Sequence, residues 1–388
     1  MGPHMTRPVR VMFYVQHLLG IGHLARASRI AQALASAGAK VTLVTGGMPV
    51  AGFPPPGVGH VALPPMAVGA EGFAALVDAD GNPVDDAFRD RRRDLLLDTF
   101  DRLAPDALLI EAYPFGRRQV RFELLPLLTA AHARQPRPVV LSSLRDILQE
   151  SSKPGRNEET VDLVQRWFDR VLVHGDPRFA RLDETFPLAA AIADRITYTG
   201  LVAPPAPGPA AERFDVIASA GGGAVGADLT RAAMGAAHRM DPALRWCLIA
   251  GPNLPQADFD ALAALQRPGI VLERFRPDFA SLLGGARVSV SQAGYNTVCD
   301  ILRGGCHAVL VPFASGGETE QTQRAERLAA LGRADVIPES ALTPEGLAAT
   351  IARALDRPQP QPLALDMGGA EATARLVIDL ARRAAPSA

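Results

Sequence analysis

Apolar runs of strand length alternate with amphipathic segments of helix length in the first half of the chain. Val9–Val15 is almost entirely apolar and predicts a buried strand, and an amphipathic helix is predicted from about Leu24 to Ala37. Gly38 ends this helix, and Lys40–Thr45 predicts the second strand. Alternation of this kind is typical of a parallel sheet flanked by helices.

The same alternation continues after a long segment, Met48–Val84, that predicts a loop. Further helices are predicted at 86–103, 118–132 and 158–169, and further strands at 107–110, 138–142 and 171–174. These elements complete a first α/β domain over residues 5–200.

A proline-rich segment then interrupts the pattern. Residues 201–213 include four prolines within ten residues, which is typical of a stiff interdomain linker. After it the alternation restarts, so residues 214–388 predict a second domain, whose last helix is free to pack back on the first. Its predicted strands are 214–219, 244–250, 269–272, 287–291 and 308–311, and its predicted helices are 226–240, 278–283, 296–303, 318–331, 344–355 and 370–383.

Each half opens with a strand and a glycine-rich turn. The sequence therefore predicts an α/β protein of two Rossmann-like domains. In open α/β sheets, ligands bind at the carboxyl ends of the strands, so we expect the two sheets to face each other across a cleft that holds the ligands.

Composition excludes several classes of protein. Forty basic and forty-one acidic side chains leave a formal net charge of −1, which argues against a nucleic-acid binder. Three cysteines are too few for a disulfide framework or a cysteine-rich zinc site. We expect no signal peptide and no membrane span, and therefore a cytoplasmic protein.

The turn after the first strand, Gly20-Ile21-Gly22-His23, is the first candidate site. It lacks the third glycine of the dinucleotide fingerprint, and no acidic residue ends the second strand, so we expect no nicotinamide cofactor. His23 at the start of the following helix is a candidate general base for a sugar hydroxyl or a water. A capping role remains the alternative. His17 is the competing histidine, for which we favour a structural role.

A second glycine-rich turn, Gly221-Gly222-Gly223, follows the first strand of the second domain. Glycines expose consecutive backbone N–H groups, and the next helix adds a partial positive charge, so the turn suits a diphosphate. The Lys-Ser/Thr ending of an ATPase phosphate loop is missing.

Two later strand ends also carry polar candidates. Asp300 lies on the helix that follows Ser289–Ser291, where a carboxylate accepts two hydrogen bonds from a ribose diol. Glu320 and Gln321 begin another helix and offer groups for a hydroxyl-rich ligand. An exposed helix position for Asp300 and a favourable acidic helix start for Glu320 are the alternatives.

Other charged segments have weaker claims. Asp78-Ala79-Asp80 matches an acid-x-acid pattern that holds a metal ion in some enzymes, but its proline-, glycine- and alanine-rich surroundings favour a chance match, and we expect no metal. Arg89 and Arg91–Arg93 predict a solvated helix face, with contact to anionic lipid as the alternative.

Four charged residues follow strand ends of the first domain. We expect these residues either to bind an acceptor substrate, the molecule whose hydroxyl group reacts, or to form interdomain ion pairs. They are Arg117, Arg118, Arg145 and Asp146.

Together these motifs resemble the GT-B glycosyltransferases related to the N-acetylglucosaminyl transferase of peptidoglycan synthesis (family 28-like), and within them a bacterial group of predicted glycosyltransferases. The resemblance covers nearly the whole chain. It is strongest in the segments 20–26, 111–118, 144–148 and 289–321.

The resemblance implies a metal-independent, inverting transfer from a nucleotide-sugar, with a uridine diphosphate sugar as the first choice. The C-terminal domain would bind this donor, and the N-terminal domain would bind an acceptor that is a glycan, a lipid or a small molecule. His23 would be the base. The donor-binding residues would be Gly221, Gly222, Gly223, Phe275, Ala293, Gly294, Asn296, Asp300, Glu320 and Gln321. The predicted acceptor-binding residues are Gly20, Gly22, Arg26, Glu111, Arg117 and Arg145.

The chain departs from the peptidoglycan enzyme at three points. Asp300 replaces a glutamate, Glu320-Gln321 replaces a Gln-Gln pair, and one glycine is missing before His23. The turn also resembles that of the nucleotide-sugar hydrolase of pseudaminic acid biosynthesis, in which the histidine activates water. Hydrolysis, and a non-catalytic donor-binding subunit of a larger transferase, are therefore kept as alternatives. Peripheral contact with the inner face of the membrane is kept as an alternative to a purely cytoplasmic location.

Overall fold

The apolar runs form two separate parallel sheets. The computed structural model describes residues 7–18, 20–69, 72–150, 153–221 and 226–384, with the backbone alone at 72–75. The strands are β1 Arg10–Val15, β2 Lys40–Thr45, β3 Gly59–Ala62, β4 Ala67–Gly69, β5 Gly72–Val77, β6 Ala107–Glu111, β7 Val139–Arg145, β8 Arg170–His174, β9 Ile196–Tyr198, β10 Val216–Ser219, β11 Trp246–Ile249, β12 Ile270–Glu273, β13 Val288–Ser291, β14 His307–Leu310 and β15 Ala334–Val336. The helices are α1 Gly22–Ser36, α2 Asp86–Leu103, α3 Arg121–Ala133, α4 Arg156–Trp167, α5 Ala227–Ala237, α6 Gln256–Ala263, α7 Phe279–Gly285, α8 Tyr295–Gly304, α9 Glu320–Ala330, α10 Pro344–Leu355 and α11 Gly369–Ala384.

The first unit consists of the chain up to Val202 together with the chain from Gly368 onward. Its sheet has seven parallel strands in the order β3-β2-β1-β6-β7-β8-β9. The central strands are buried because helices cover both faces, as their continuous apolar runs predict. From β1, the chain proceeds to β2 on one side and later to β6 on the other, so the switch point of this sheet lies between β1 and β6.

The second unit is Ala203–Met367. Its six parallel strands have the order β12-β11-β10-β13-β14-β15, so its switch point lies between β10 and β13. Its core includes Trp246 and Leu248 of β11 and Leu347 and Ile351 of α10, all of them buried. The predicted fold class, an α/β protein with two Rossmann-like sheets, is confirmed.

The prediction of a loop over Met48–Val84 is wrong. This segment contains β3, which pairs with β2, and a hairpin of β4 and β5. Strand β3 lies at the sheet edge and its residues are largely exposed, so it lacks the continuous apolar run that marks the central strands.

The last helix belongs to the first unit. Val202 and Gly368 form an isolated β-bridge, and α11 then packs against α1. Val377, Ile378 and Ala381 are buried along one face of α11. The chain thus crosses between the units twice, once near 202–203 and once near 367–368.

Helix α2 differs from the prediction at one position. Arg92, expected on a solvated face, is fully buried, and its guanidinium pairs with Glu123 of α3 at 2.7 Å. Arg89 and Arg93 do lie at the surface and pair with Asp86 and Asp90 on the same helix. Within the described residues, each helix is either too short or too polar to cross a bilayer.

Candidate functional site

His23 and Glu111 meet at the switch point of the first sheet. His23 lies in the first turn of α1, directly after the turn that follows β1, and Glu111 is the last residue of β6. The His23 Nδ1 atom lies 2.9 Å from Glu111 Oε1. His23 retains 13% side-chain exposure, whereas the Glu111 side chain is fully buried. A histidine and a carboxylate are thereby joined where open α/β sheets bind ligands.

Three groups hold the Glu111 carboxylate in its ionised form. Arg26 of α1 forms a buried ion pair with Oε1, and Ser143 of β7 donates its hydroxyl to Oε2 at 2.6 Å. Burial alone would raise the pKa of Glu111, but the Arg26 charge and the hydrogen bonds from His23 and Ser143 lower it to about 2. The carboxylate is therefore an acceptor only, at any pH near neutrality.

This assignment also determines the His23 tautomer. Since Glu111 can only accept, the Nδ1 atom of His23 carries the proton, and Nε2 keeps its lone pair. Burial, together with the Arg117 charge, lowers the pKa of His23 to about 3, although Glu111 acts in the opposite direction. The ring is therefore neutral at physiological pH, with Nε2 as a proton acceptor. Sequence reasoning had assigned Glu111 to acceptor binding and had not paired it with His23.

His17 has a different environment. It is buried, and its Nε2 lies 2.8 Å from the carbonyl of Met48. A Cβ at position 47 would lie 2.5 Å from the His17 ring, so only glycine fits there. The structure gives His17 a packing role against the loop that follows β2.

The predicted acceptor-side arginines differ in their contacts. Arg117 is half-buried, adopts a left-handed conformation with φ of 58° and donates from Nε to the Gln16 carbonyl at 2.8 Å. Burial and the nearby Arg145 charge lower the pKa of Arg117 to about 10. Arg118 instead pairs with Glu159 of α4, inside the first unit. Arg26 is buried in its pair with Glu111.

The two glycines predicted on the acceptor side lie in and after the same turn. Gly22 is exposed and begins α1, a helix without a side-chain cap at its N-terminus. A Cβ added at Gly20 would meet no atom of the described residues within 4 Å, so their packing does not require glycine there.

In the second unit, two of the predicted donor loops flank the switch point. Gly221 follows β10 and has a φ of +75°. A Cβ added at Gly251 would lie 2.6 Å from the carbonyl oxygen of Gly221. Gly294 precedes the first residue of α8, after β13. Gly222 and Gly223 lie outside the described residues.

Glu320 and Gln321 of α9 support the loop after β13, and Gln321 also contacts the segment that follows β14. Gln321 Oε1 accepts from the backbone N–H of Ala293 at 3.0 Å and from that of Phe313 at 3.2 Å. Glu320 is 3% exposed and pairs with the buried Arg324, which also donates to the Ala293 carbonyl. Sequence reasoning missed Arg324, although its i,i+4 spacing from Glu320 is the signal for such a pair.

The remaining donor-side candidates lie on the neighbouring segments. Asn296 and Asp300 are four residues apart on α8, which places them on one face of the helix, and both are half-buried. Phe275 follows β12 and is 69% exposed, an unusual position for a large aromatic side chain.

The acid-x-acid pattern forms a surface turn. Asp78 Oδ1 accepts from the backbone N–H groups of Asp80 and Asn82, each at 2.9 Å. Those hydrogen bonds lower the pKa of Asp78. In the part of the chain that the structure describes, no three His, Cys, Asp or Glu side chains are grouped as metal ligands.

A known protein family matches most of the second unit. Residues 220–376 match the family model described as the glycosyltransferase family 28 C-terminal domain. The match covers less than half of the chain, and it spans both switch-point loops of the second sheet.

Curated relatives match over a limited stretch. The chain is 36% identical over 127 residues to a protein of Mesorhizobium japonicum named UDP-N-acetylglucosamine--N-acetylmuramyl-(pentapeptide) pyrophosphoryl-undecaprenol N-acetylglucosamine transferase, over 31% of this chain and 32% of that protein. A protein of the same name from Cupriavidus necator is 39% identical over 97 residues, 25% of this chain and 27% of that protein. The alignments thus span about a third or less of these relatives.

Solved structures match over almost the whole chain. The calicheamicin glycosyltransferase CalG4 superposes with a TM-score of 0.60 at 16% identity, over 98% of this chain and 95% of that one. MurG of Acinetobacter baumannii superposes with a TM-score of 0.59 at 18% identity, over 97% and 100%. At these identities the likeness shows the fold, which is that of the GT-B glycosyltransferases.

Proposed function

We propose that this family 28-like protein of GT-B fold is a glycosyltransferase that moves a sugar from a nucleotide-sugar to an acceptor hydroxyl. The observation that carries the proposal is the His23–Glu111 pair, a neutral imidazole with a free Nε2 at the switch point of the first sheet. The family 28 domain in the second unit supports a donor of the nucleotide-sugar class.

The donor would bind to the switch-point loops of the second unit. The backbone N–H groups of Gly221–Gly223 and the α8 N-terminus at Gly294 would hold the diphosphate, because exposed amides and a helix dipole favour anions. Asp300 would bind the ribose diol, with Asn296 beside it, and the exposed Phe275 would contact the base. Uridine is the first choice because the curated relatives are named as UDP-N-acetylglucosamine transferases.

His23 would act as the general base. The acceptor hydroxyl would lose its proton to Nε2 as its oxygen forms a bond to the anomeric carbon, and the bond from that carbon to the diphosphate oxygen would break, with the electron pair leaving on the nucleotide. One displacement from the opposite face inverts the anomeric centre. Fixed amide dipoles would stabilise the charge on the leaving group, which is the function of a metal ion in other transferases.

The acceptor would bind near His23, in contact with Gly20, Gly22, Arg117 and Arg145. Arg117 is half-buried and lies near a second positive charge, Arg145, which favours an acceptor that brings negative charge. A cytoplasmic location with peripheral membrane contact stays a prediction.

Two substitutions test the proposed roles of His23 in catalysis and of Asp300 in donor binding. His23→Ala removes the base, so we expect kcat to fall by about 10²–10⁴ with the donor Kd unchanged. Asp300→Ala removes the ribose contact, so we expect the donor Kd to rise by about tenfold, the effect of losing roughly 1.4 kcal/mol. Calorimetry with UDP and a coupled assay of UDP release measure the two effects.

Three outcomes would contradict the scheme. Undiminished turnover in the His23→Ala protein would place the base elsewhere. Activity that disappears with a chelator and returns with a divalent cation would exclude the metal-free step. Release of free sugar from the donor alone, at the rate seen with acceptor, would indicate a nucleotide-sugar hydrolase.

A further inference from the structure

A chain of buried hydrogen bonds continues behind Glu111, away from His23. Ser143 Oγ lies 2.6 Å from Glu111 Oε2 and 2.9 Å from His174 Nε2. His174 Nδ1 in turn lies 2.8 Å from the hydroxyl of Thr199. Ser143 and His174 have no exposed surface, so neither can contact a substrate.

The direction of each bond in this chain follows from Glu111. Because the ionised carboxylate only accepts, Ser143 donates its single hydroxyl proton to Glu111. The Ser143 oxygen must therefore accept a hydrogen bond from His174 Nε2–H. His174 Nδ1 then keeps its lone pair and accepts from Thr199. Burial lowers the pKa of His174 to about 3, which agrees with a neutral ring.

The far end of the chain is closed by two other elements of the first unit. Thr199 follows β9, and Thr373 of α11 lies 3.5 Å from His174 Nδ1 while its hydroxyl donates to the Gly369 carbonyl. Every described polar atom from Thr199 to Glu111 thus has a partner, and the order of donors runs one way.

We propose that Ser143 and His174 are positioning residues for His23. Their bonds hold Glu111 Oε2, so that Oε1 stays directed at His23 Nδ1 and Nε2 remains the free atom. The kinetic consequence rests on the proposed transferase function, whereas the geometric claim does not. Replacing both partners of a buried hydrogen bond by apolar groups of the same shape is often nearly neutral for stability, so we attribute the network to the orientation that it imposes on Glu111.

The tautomer of His23 is measured first, because it needs no activity. Two-bond ¹H–¹⁵N correlation spectra of protein labelled with ¹⁵N-histidine report which ring nitrogen is protonated, and the His23→Gln protein identifies the His23 signals. We expect a pure Nδ1–H pattern in the unaltered protein. In Ser143→Ala and His174→Leu, we expect the Nε2–H tautomer to appear, because the carboxylate is no longer held at Oε2.

Rescue and a matched control separate positioning from packing. His174→Gln keeps an N–H directed at Ser143, so we expect it to retain the Nδ1–H pattern of His23. Ser142 is the neighbour of Ser143 on β7, is equally buried and donates to the Tyr113 carbonyl at 2.8 Å. Ser142→Ala therefore removes a comparable hydroxyl and should leave the His23 spectrum unchanged.

Kinetics give the second readout. With a donor that is turned over, we expect Ser143→Ala and His174→Leu to lower kcat by about tenfold, part of the contribution of a general base, with KM for the donor unchanged. The proposal is overturned if both substitutions leave the His23 spectrum as in the unaltered protein, or if Ser142→Ala perturbs it equally. Absence of transfer in all the proteins, with the tautomer shift present, would refute the proposed function and leave the positioning role standing.

Discussion

At the scale of single residues, the notable feature is a group of buried side chains whose pKa values lie far from their usual ones. His23 and His174 are neutral because burial disfavours the imidazolium, and Glu111 is ionised because Arg26 and two hydrogen bonds outweigh its burial. These groups, His23 with its proposed role as base among them, also link the stability of the first unit to pH.

The sign of this linkage is the same for all three groups. Each histidine has a folded pKa of about 3 against 6.5, so below pH 6.5 the unfolded chain binds protons that the folded chain does not. Stability should therefore decline as the pH falls from about 6.5 towards 3, by about 1.4 kcal/mol per pH unit for each histidine. Glu111, with a pKa of about 2 against 4.5, adds a further loss below pH 4.5.

Urea unfolding between about pH 7 and pH 5 measures this slope. The His174→Gln protein loses one of the two groups, and its free energy of unfolding should decline less steeply, by about 1.4 kcal/mol per pH unit. Equal slopes for the two proteins would mean that His174 is not neutral in the folded state.

At the scale of elements, one arginine anchors α2. Arg92 donates from Nε and Nη2 to the Glu123 carboxylate, at 2.9 and 2.7 Å, and from its two Nη atoms to Gly46 and Gln16. The guanidinium thus ties α2 to α3 and to the loops that follow β1 and β2. This explains why an arginine lies on the buried side of an otherwise charged helix.

We expect Arg92→Met to lower the free energy of unfolding by about 3–5 kcal/mol, because it leaves the buried Glu123 carboxylate without its partner. Arg93→Met, one position along the same helix, removes only exposed ion pairs and should cost about 0.5 kcal/mol or less. Guanidinium unfolding of both proteins tests the contrast, and equal losses would refute the anchoring role of Arg92.

At the scale of the whole molecule, the C-terminus returns to complete the unit in which the chain begins. Helix α11 packs against α1, the helix that carries His23, and supplies Thr373 near His174. The end of the sequence thus contributes to the surroundings of a residue near its start.

A charge placed in this contact should weaken the first unit. Val377 on α11 is fully buried, so Val377→Asp should lower the free energy of unfolding of the first unit by more than about 3 kcal/mol. Hydrogen exchange measured by mass spectrometry should then accelerate in α1 and β7, which α11 contacts. Arg383→Ala, at an exposed position of the same helix, is the control and should leave exchange in both elements unchanged.

The sequence was sufficient for the fold class. Central strands such as β1 and β2 are buried over almost their whole length, and α2 and α10 begin and end at the residues expected, because burial and capping are encoded locally. The edge strand β3 could not be found in this way, because an exposed edge needs no apolar run.

The features of the candidate site likewise fall into those that local sequence determines and those that only the tertiary structure determines. Glycine-rich turns after strands, and a histidine at the start of a helix, are local patterns that the sequence alone determines. Only the tertiary structure decided that Glu111 faces His23, that Ser143 and His174 support it, and that Arg92 and Arg324 are buried. These pairings join residues far apart in the chain, and a side chain's protonation depends on the groups that the fold brings to it.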